Sequence, residues 1–136
     1  MFKINFVHTV YYLSAKYIIF FVIIAFVRNR FQEIVINHAQ TSSEFIKLSL
    51  GYVLYVLCYI AIMVAIFCTP LYYILLVKNG LNCLLLLVAF YAIEFLVYWH
   101  LFSPSDTYLA VYNAVTGMVF LNLFFIRQLV VKFNKS

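Results

Sequence analysis

The chain has 136 residues, of which 68% are hydrophobic and only 10% charged, with a net charge of +5 and a mean hydropathy of +1.06. A water-soluble domain of this size does not tolerate that balance, and four membrane spans of about 20 residues each would leave no room for a soluble catalytic or binding domain. Function must therefore sit within or beside a bilayer, and the scattered Lys and Arg residues at the ends of apolar runs meet lipid headgroups instead of forming a face for nucleic acid.

The expected fold is one all-α domain over residues 1–136, a polytopic membrane protein built as a four-transmembrane-helix bundle with a kinked second helix. The first span, residues 4–27, has to include Lys16, because 17–27 alone is too short to cross. No small-residue cleavage site follows before Arg28, so the span reads as a retained helix and not a signal peptide. The connection from Arg28 to Lys47 places Phe31, Ile34, Val35 and His38 on one helical face and Arg30, Gln32, Glu33 and Asn37 on the other. Such a segment either continues the first helix beyond the bilayer or lies flat on its surface.

Thr41 and Glu44 have the spacing of a capping box, so the second helix should begin near Ser42. Its span covers 46–69 and extends to 77. At ~1.5 Å per residue that is longer than a bilayer core of ~30 Å, and Pro70 is where a kink belongs, with 71–77 turning toward the interface. Lys78-Asn79-Gly80 forms a tight turn whose glycine can take positive φ, making the second and third helices antiparallel neighbours. The third span is 81–102. Ser103-Pro104-Ser105-Asp106 is the next turn, with Ser105 or Asp106 capping a fourth span over 107–126, and Arg127, Lys132 and Lys135 mark a short tail.

Four spans put both termini on one side. That side collects Lys3, Lys78, Arg127, Lys132 and Lys135, against Arg28, Arg30 and Lys47 on the other, and the Asp106 turn has no basic residue. The positive-inside rule then makes both termini cytoplasmic, in a bacterial inner (plasma) membrane. Tyr98, Trp99, His100, Tyr108 and Tyr112 would form an aromatic belt at the outer interface.

Several features are candidates for function. On the second helix Gly51, Cys58 and Ala65 recur every seven residues with Leu54, Ala61 and Cys68 as companions, a seam of mostly small residues where helices can pack closely. It reads first as packing within the bundle and second as an interface with another copy or a different membrane protein. The fourth helix carries a comparable stripe in Ala110, Asn113, Ala114 and Gly117, with Thr116 and Asn122 as polar groups for interhelical hydrogen bonds. Tyr52, Tyr55 and Tyr59 make a tyrosine face. Lys16 and Glu94 sit about 12 and 13 residues in from the same side, ~18 to 20 Å deep, and a lone charge there costs at least ~2.5 to 3.5 kcal/mol. Either the two pair, or Lys16 snorkels and Glu94 is protonated.

Cys58, Cys68 and Cys83 have no metal-binding or redox spacing and read as small packing residues, and His8, His38 and His100 fall far apart, so no cofactor or metal is expected. No nucleophile triad, zinc motif, phosphate loop or paired carboxylate is present. The reading is a non-enzymatic membrane protein that binds another membrane component through its helices. An accessory or assembly subunit of a membrane complex fits, as does an immunity-type protein that blocks a pore-forming toxin. The alternative is a small homo-oligomeric transporter or channel with Lys16, Glu94, Asn113, Thr116 and Asn122 lining a path.

Overall fold

The computed structural model describes residues 4–102 and 106–134, with the side chains of 101 and 102 left aside. Four helices follow in chain order: α1 (Phe6–Val27), α2 (Ser42–Leu76), α3 (Gly80–Phe102) and α4 (Thr107–Phe133). Each is long and apolar enough to cross a bilayer, which makes the chain an integral membrane protein. α1 packs on α2 and α4, and α3 packs on α4 and α2, so the helices form a ring of antiparallel neighbours with α1 facing α3 across one diagonal. Leu13, Phe20, Met63, Phe67, Phe90 and Phe125 fill the centre, while Val7, Ile18, Leu50, Leu85, Val88 and Val119 point outward. That outer apolar surface is what lipid chains would contact.

The connection after α1 does not continue the first helix. Asn29 takes φ 54 and ends the helix, after which the chain makes a single π-type turn in which the Asn37 N–H bonds the Gln32 carbonyl at 2.9 Å. The anticipated apolar face is divided: Val35 is fully buried, whereas Ile34 and His38 are exposed. Phe31 packs edge-on against Phe45 and Tyr52, with ring centroids 6.5 and 5.6 Å away. Two aromatic contacts and one buried valine therefore hold the loop against the bundle end.

α2 starts as its capping residues dictate. The Thr41 hydroxyl accepts from the Glu44 N–H at 3.3 Å, and the Glu44 carboxylate accepts from the Gln40 N–H at 3.0 Å, one residue earlier than a standard box. The helix runs unbroken through Pro70, and Leu71 and Leu75 beyond it are fully buried. One side of that stretch joins the core, while Tyr73 and Leu76 face outward.

Gly80 does not use positive φ; the 78–80 turn is closed instead by Asn79, whose Oδ1 accepts from the Asn82 N–H at 3.1 Å and caps α3. At the opposite end Asp106 caps α4 by accepting from the Tyr108 N–H at 3.1 Å, and the same carboxylate pairs with the Arg28 guanidinium. Ser103, Pro104, Ser105, Lys3 and Lys135 lie outside the described residues.

α4 continues to Phe133, well past residue 126. Leu121, Phe125 and Leu129 form a buried stripe at four-residue spacing, and Arg127 lies off it, so the charge does not interrupt packing. Lys132, instead of marking a tail, reaches across to the end of α2 and donates to the carbonyls of Leu75 and, at 2.7 Å, Val77. A cation on terminal carbonyls satisfies groups the helix cannot pair internally. Gln128 ties the start of the chain to the same end by accepting from the Ile4 N–H at 2.9 Å.

Asp106 combines a cap with a half-exposed ion pair, and substitutions separate the two. Asp106→Asn keeps a capping oxygen and should lie within ~1 kcal/mol of the parent, as exposed pairs contribute little. Asp106→Ala loses the cap as well and should cost a further ~1 kcal/mol in detergent unfolding.

Candidate functional site

Polar chemistry inside the bundle gathers in two adjoining layers. Lys16 projects from α1 with Tyr12 one turn earlier on the same face; Glu94 projects from α3 with Tyr91 one turn earlier. Because α1 and α3 face each other diagonally, Lys16 and Glu94 meet at the centre, 0% and 1% exposed. The Lys16 ammonium donates to Glu94 Oε1, and the same oxygen accepts from the Tyr17 hydroxyl. The ammonium also lies 4.9 Å from the Tyr17 ring centroid and 5.6 Å from that of Tyr91, so aromatic faces supply part of the solvation that water cannot. Of the two alternatives for these charges, the geometry takes the paired one.

The neighbouring layer joins three helices at one carbonyl. The hydroxyls of Tyr12 and Tyr91 lie 2.8 Å apart, and they approach the Gly117 oxygen to 2.8 and 3.1 Å. The Gly117 carbonyl, with two lone pairs, accepts from both tyrosine hydroxyls, whose oxygens are thereby held side by side. Gly117 is required by space: a Cβ there would sit 2.8 Å from a Tyr91 ring carbon and 2.9 Å from Lys16 Cε. Ala110, Asn113 and Gly117 are buried and Ala114 is half-buried, which places the small stripe of α4 on the core side.

Not every polar atom in this region is satisfied. Glu94 Oε2 and both side-chain atoms Nδ2 and Oδ1 of Asn113 are buried without a hydrogen-bond partner among the described residues. Tyr91 meets Gly117 between antiparallel helices, so Glu94, three residues on, falls level with Asn113, four residues back. Each such group costs about 1–3 kcal/mol, which is a reason to look for use rather than stability. Thr116 and Asn122 are not interhelical: they bond the Tyr112 and Met118 carbonyls of their own helix at 2.7 and 2.9 Å, and Asn122 is exposed.

The seam on α2 faces the other way from its first reading. Gly51, Leu54, Cys58, Ala61 and Ala65 are all exposed, and only Cys68 of that set is buried. Nothing lies within 4 Å of a Cβ built on Gly51. The inner face is held by the larger Ile60, Met63, Phe67 and Leu71. Both faces of α2 are apolar, so a heptad of small residues marks a packing-competent face without saying whether this bundle uses it. Cys58 is correspondingly an exposed thiol, while Cys68 and Cys83 are buried. Tyr98 also departs from its expected place: it is 5% exposed and packs edge-on against Phe20 at 5.2 Å, leaving Trp99, Tyr108 and Tyr112 at the surface. Tyr52 and Tyr59 are half-buried and Tyr55 is exposed.

The sequence did not single out Tyr12, Tyr17 or Tyr91; for Tyr12 and Tyr91 the spacing carried a signal, since a side chain one helical turn from a buried charge shares its face, whereas Tyr17, next to Lys16, had none. Among the described residues no three His, Cys, Asp or Glu side chains come together where they could hold a metal ion. No family model, no curated protein and no solved structure matches the chain.

Two measurements probe this centre. Lys16→Met or Glu94→Gln alone should cost about 3–5 kcal/mol in detergent unfolding by stranding a buried partner, and the double variant should recover most of that loss. Additive losses would show that the two charges act independently. Gly117→Ala gains ~0.5–1 kcal/mol of helix preference but forces Tyr91 and Lys16 aside at about 1–3 kcal/mol, so a net loss is expected.

Proposed function

We propose that this chain is a non-enzymatic integral membrane protein that acts by binding another membrane protein along the outer face of α2. The observation that carries this reading is the outward position of Gly51, Cys58, Ala61 and Ala65. Small residues in membrane helices allow backbones to approach, and a regular run of them facing away from its own bundle offers that contact to a second protein. α2 is also the least enclosed of the four spans, with 17% of its apolar window buried against 33% or more for the others. An accessory or assembly subunit fits this surface, as does an immunity-type inhibitor seated against a pore-forming toxin. The basic-residue bias supports placement in a bacterial inner membrane with both termini cytoplasmic. Thiol labelling that reaches the C-terminus from outside would reverse that orientation.

A second reading draws on Asn113 and Glu94 Oε2, buried in the bundle centre with no hydrogen-bond partner among the described residues. In a small homo-oligomeric transporter or channel such groups would serve a solute. Lys16→Met combined with Glu94→Gln separates the two readings: a stable double variant that keeps partner binding supports the binding role, and one that is stable but inactive supports transport.

The binding reading is tested by substitutions that the bundle itself tolerates. Ala61→Leu and Ala65→Leu point outward and should change stability by no more than ~0.5 kcal/mol. Gly51→Ala, with open space around it, should raise stability by ~0.5–1 kcal/mol through helix preference. All three should nonetheless weaken recovery of a stoichiometric partner from mild detergent and lower crosslinking through Cys58 in native membranes. A crosslinked species at twice the 16.0 kDa chain mass would identify the partner as a second copy. Unchanged recovery and crosslinking in all three variants would sink the proposal.

A further inference from the structure

The contact between α1 and α2 is flanked by two spaces that share the walls Phe21, Tyr52 and Val56. One is a groove of about 190 Å³, apolar throughout, that includes Ile18, Val22, Phe26, Val53 and Ile60. The other, about 180 Å³, lies at the Asp106 end of the bundle, where Arg30 and Ile34 of the connecting loop meet Tyr52, Tyr55 and Tyr98. The groove is set by depth as well as by composition. Ile60 is eight residues below Tyr52 on α2, ~12 Å at ~1.5 Å per residue, so the groove runs from the loop end of the α1 span, where headgroups would lie, toward the middle of the span.

Arg30 is brought to this place by the backbone. Asn29 in the left-handed region turns the chain at the end of α1, and Phe31, seated on Phe45 and Tyr52, anchors the next residue. The two arginines of the loop have different partners. Arg28 is neutralised by Asp106, whereas Arg30 meets Glu33 only at 4.0 Å, with both side chains about half exposed, and such a pair contributes little. A guanidinium with tyrosine hydroxyls beside it, above an apolar channel and level with headgroups, is complementary to one kind of molecule in a membrane.

We infer that the α1–α2 groove holds a phospholipid, its phosphate docked on Arg30 with the hydroxyls of Tyr52 and Tyr55 and one acyl chain lying along Val22, Val53 and Ile60. Arginine suits the role because its planar fork can donate two parallel hydrogen bonds to phosphate oxygens. The bound lipid would also fill the outer side of the α1–α2 contact. The site is separate from the seam: Val53 and Ile60 lie on a different side of α2 from Gly51, Cys58 and Ala65, a consequence of the 100° step between residues.

The test uses the whole protein in mild detergent, titrated with phosphatidylglycerol and read by native mass spectrometry. The parent should retain one lipid. Arg30→Gln should weaken retention by about tenfold or more, with Arg30→Lys intermediate, because lysine keeps the charge and loses the fork. Val53→Trp, at a half-exposed wall position, should obstruct the acyl chain and weaken retention with Arg30 intact. Millimolar inorganic phosphate should not displace the lipid. Three outcomes would overturn the inference: equal retention in parent, Arg30→Gln and Val53→Trp; no lipid on the parent; or displacement by inorganic phosphate with Val53→Trp unaffected, which would assign Arg30 to a free anion.

Discussion

A charge in the hydrocarbon layer must be answered by another group, and the Lys16–Glu94 pair is the constraint around which this bundle is arranged. The pair bridges α1 and α3, which face each other across the centre and meet through side chains there, Tyr12 with Tyr91 and Phe20 with Tyr98 among them. Its requirements propagate outward. The ammonium needs aromatic faces, which Tyr17 and Tyr91 present; Tyr91 then needs an acceptor, which is the Gly117 carbonyl; and that approach leaves no room for a side chain on Gly117. The small stripe of α4 is in this sense a consequence of two charges on other helices.

The second diagonal is bridged by another lysine with a different task. Lys132 of α4 closes the end of α2 by donating to the Leu75 and Val77 carbonyls. These carbonyls have no helical partner, and a cation relieves both that deficit and the negative end of the helix dipole. At the opposite end the Arg28–Asp106 pair joins the long loop to the start of α4. One buried pair and two end contacts thus hold a bundle whose apolar side chains gain little from leaving lipid, since membrane helices associate by close packing and polar contacts.

The two surfaces proposed for function differ in how they relate to this scaffold. The outer face of α2 takes no part in the polar centre, so it can vary its contacts without disturbing the bundle. Asn113 and Glu94 Oε2 are embedded in that centre, and any role for them is coupled to the stability of the pair. A binding protein separates its scaffold from its contact surface; a transporter would have to work through the scaffold itself.

Composition and hydropathy were enough to establish a membrane protein with four spans, because the bilayer demands about 20 apolar residues per helix whatever those residues pack against. Capping chemistry was equally local: Thr41, Glu44 and Asp106 act on backbone groups within four residues. The matching depth of Lys16 and Glu94 was also legible, since rise per residue converts sequence position into height. Facing was not. In water the polar face of a helix marks its outside, but in lipid both faces can be apolar: Asn113 marked the inner face of α4, whereas nothing in the sequence told whether Gly51, Cys58 and Ala65 point in or out. The rotation of each helix about its own axis was decided by the tertiary structure alone, through the large side chains that fill the centre and the two charges that had to meet there.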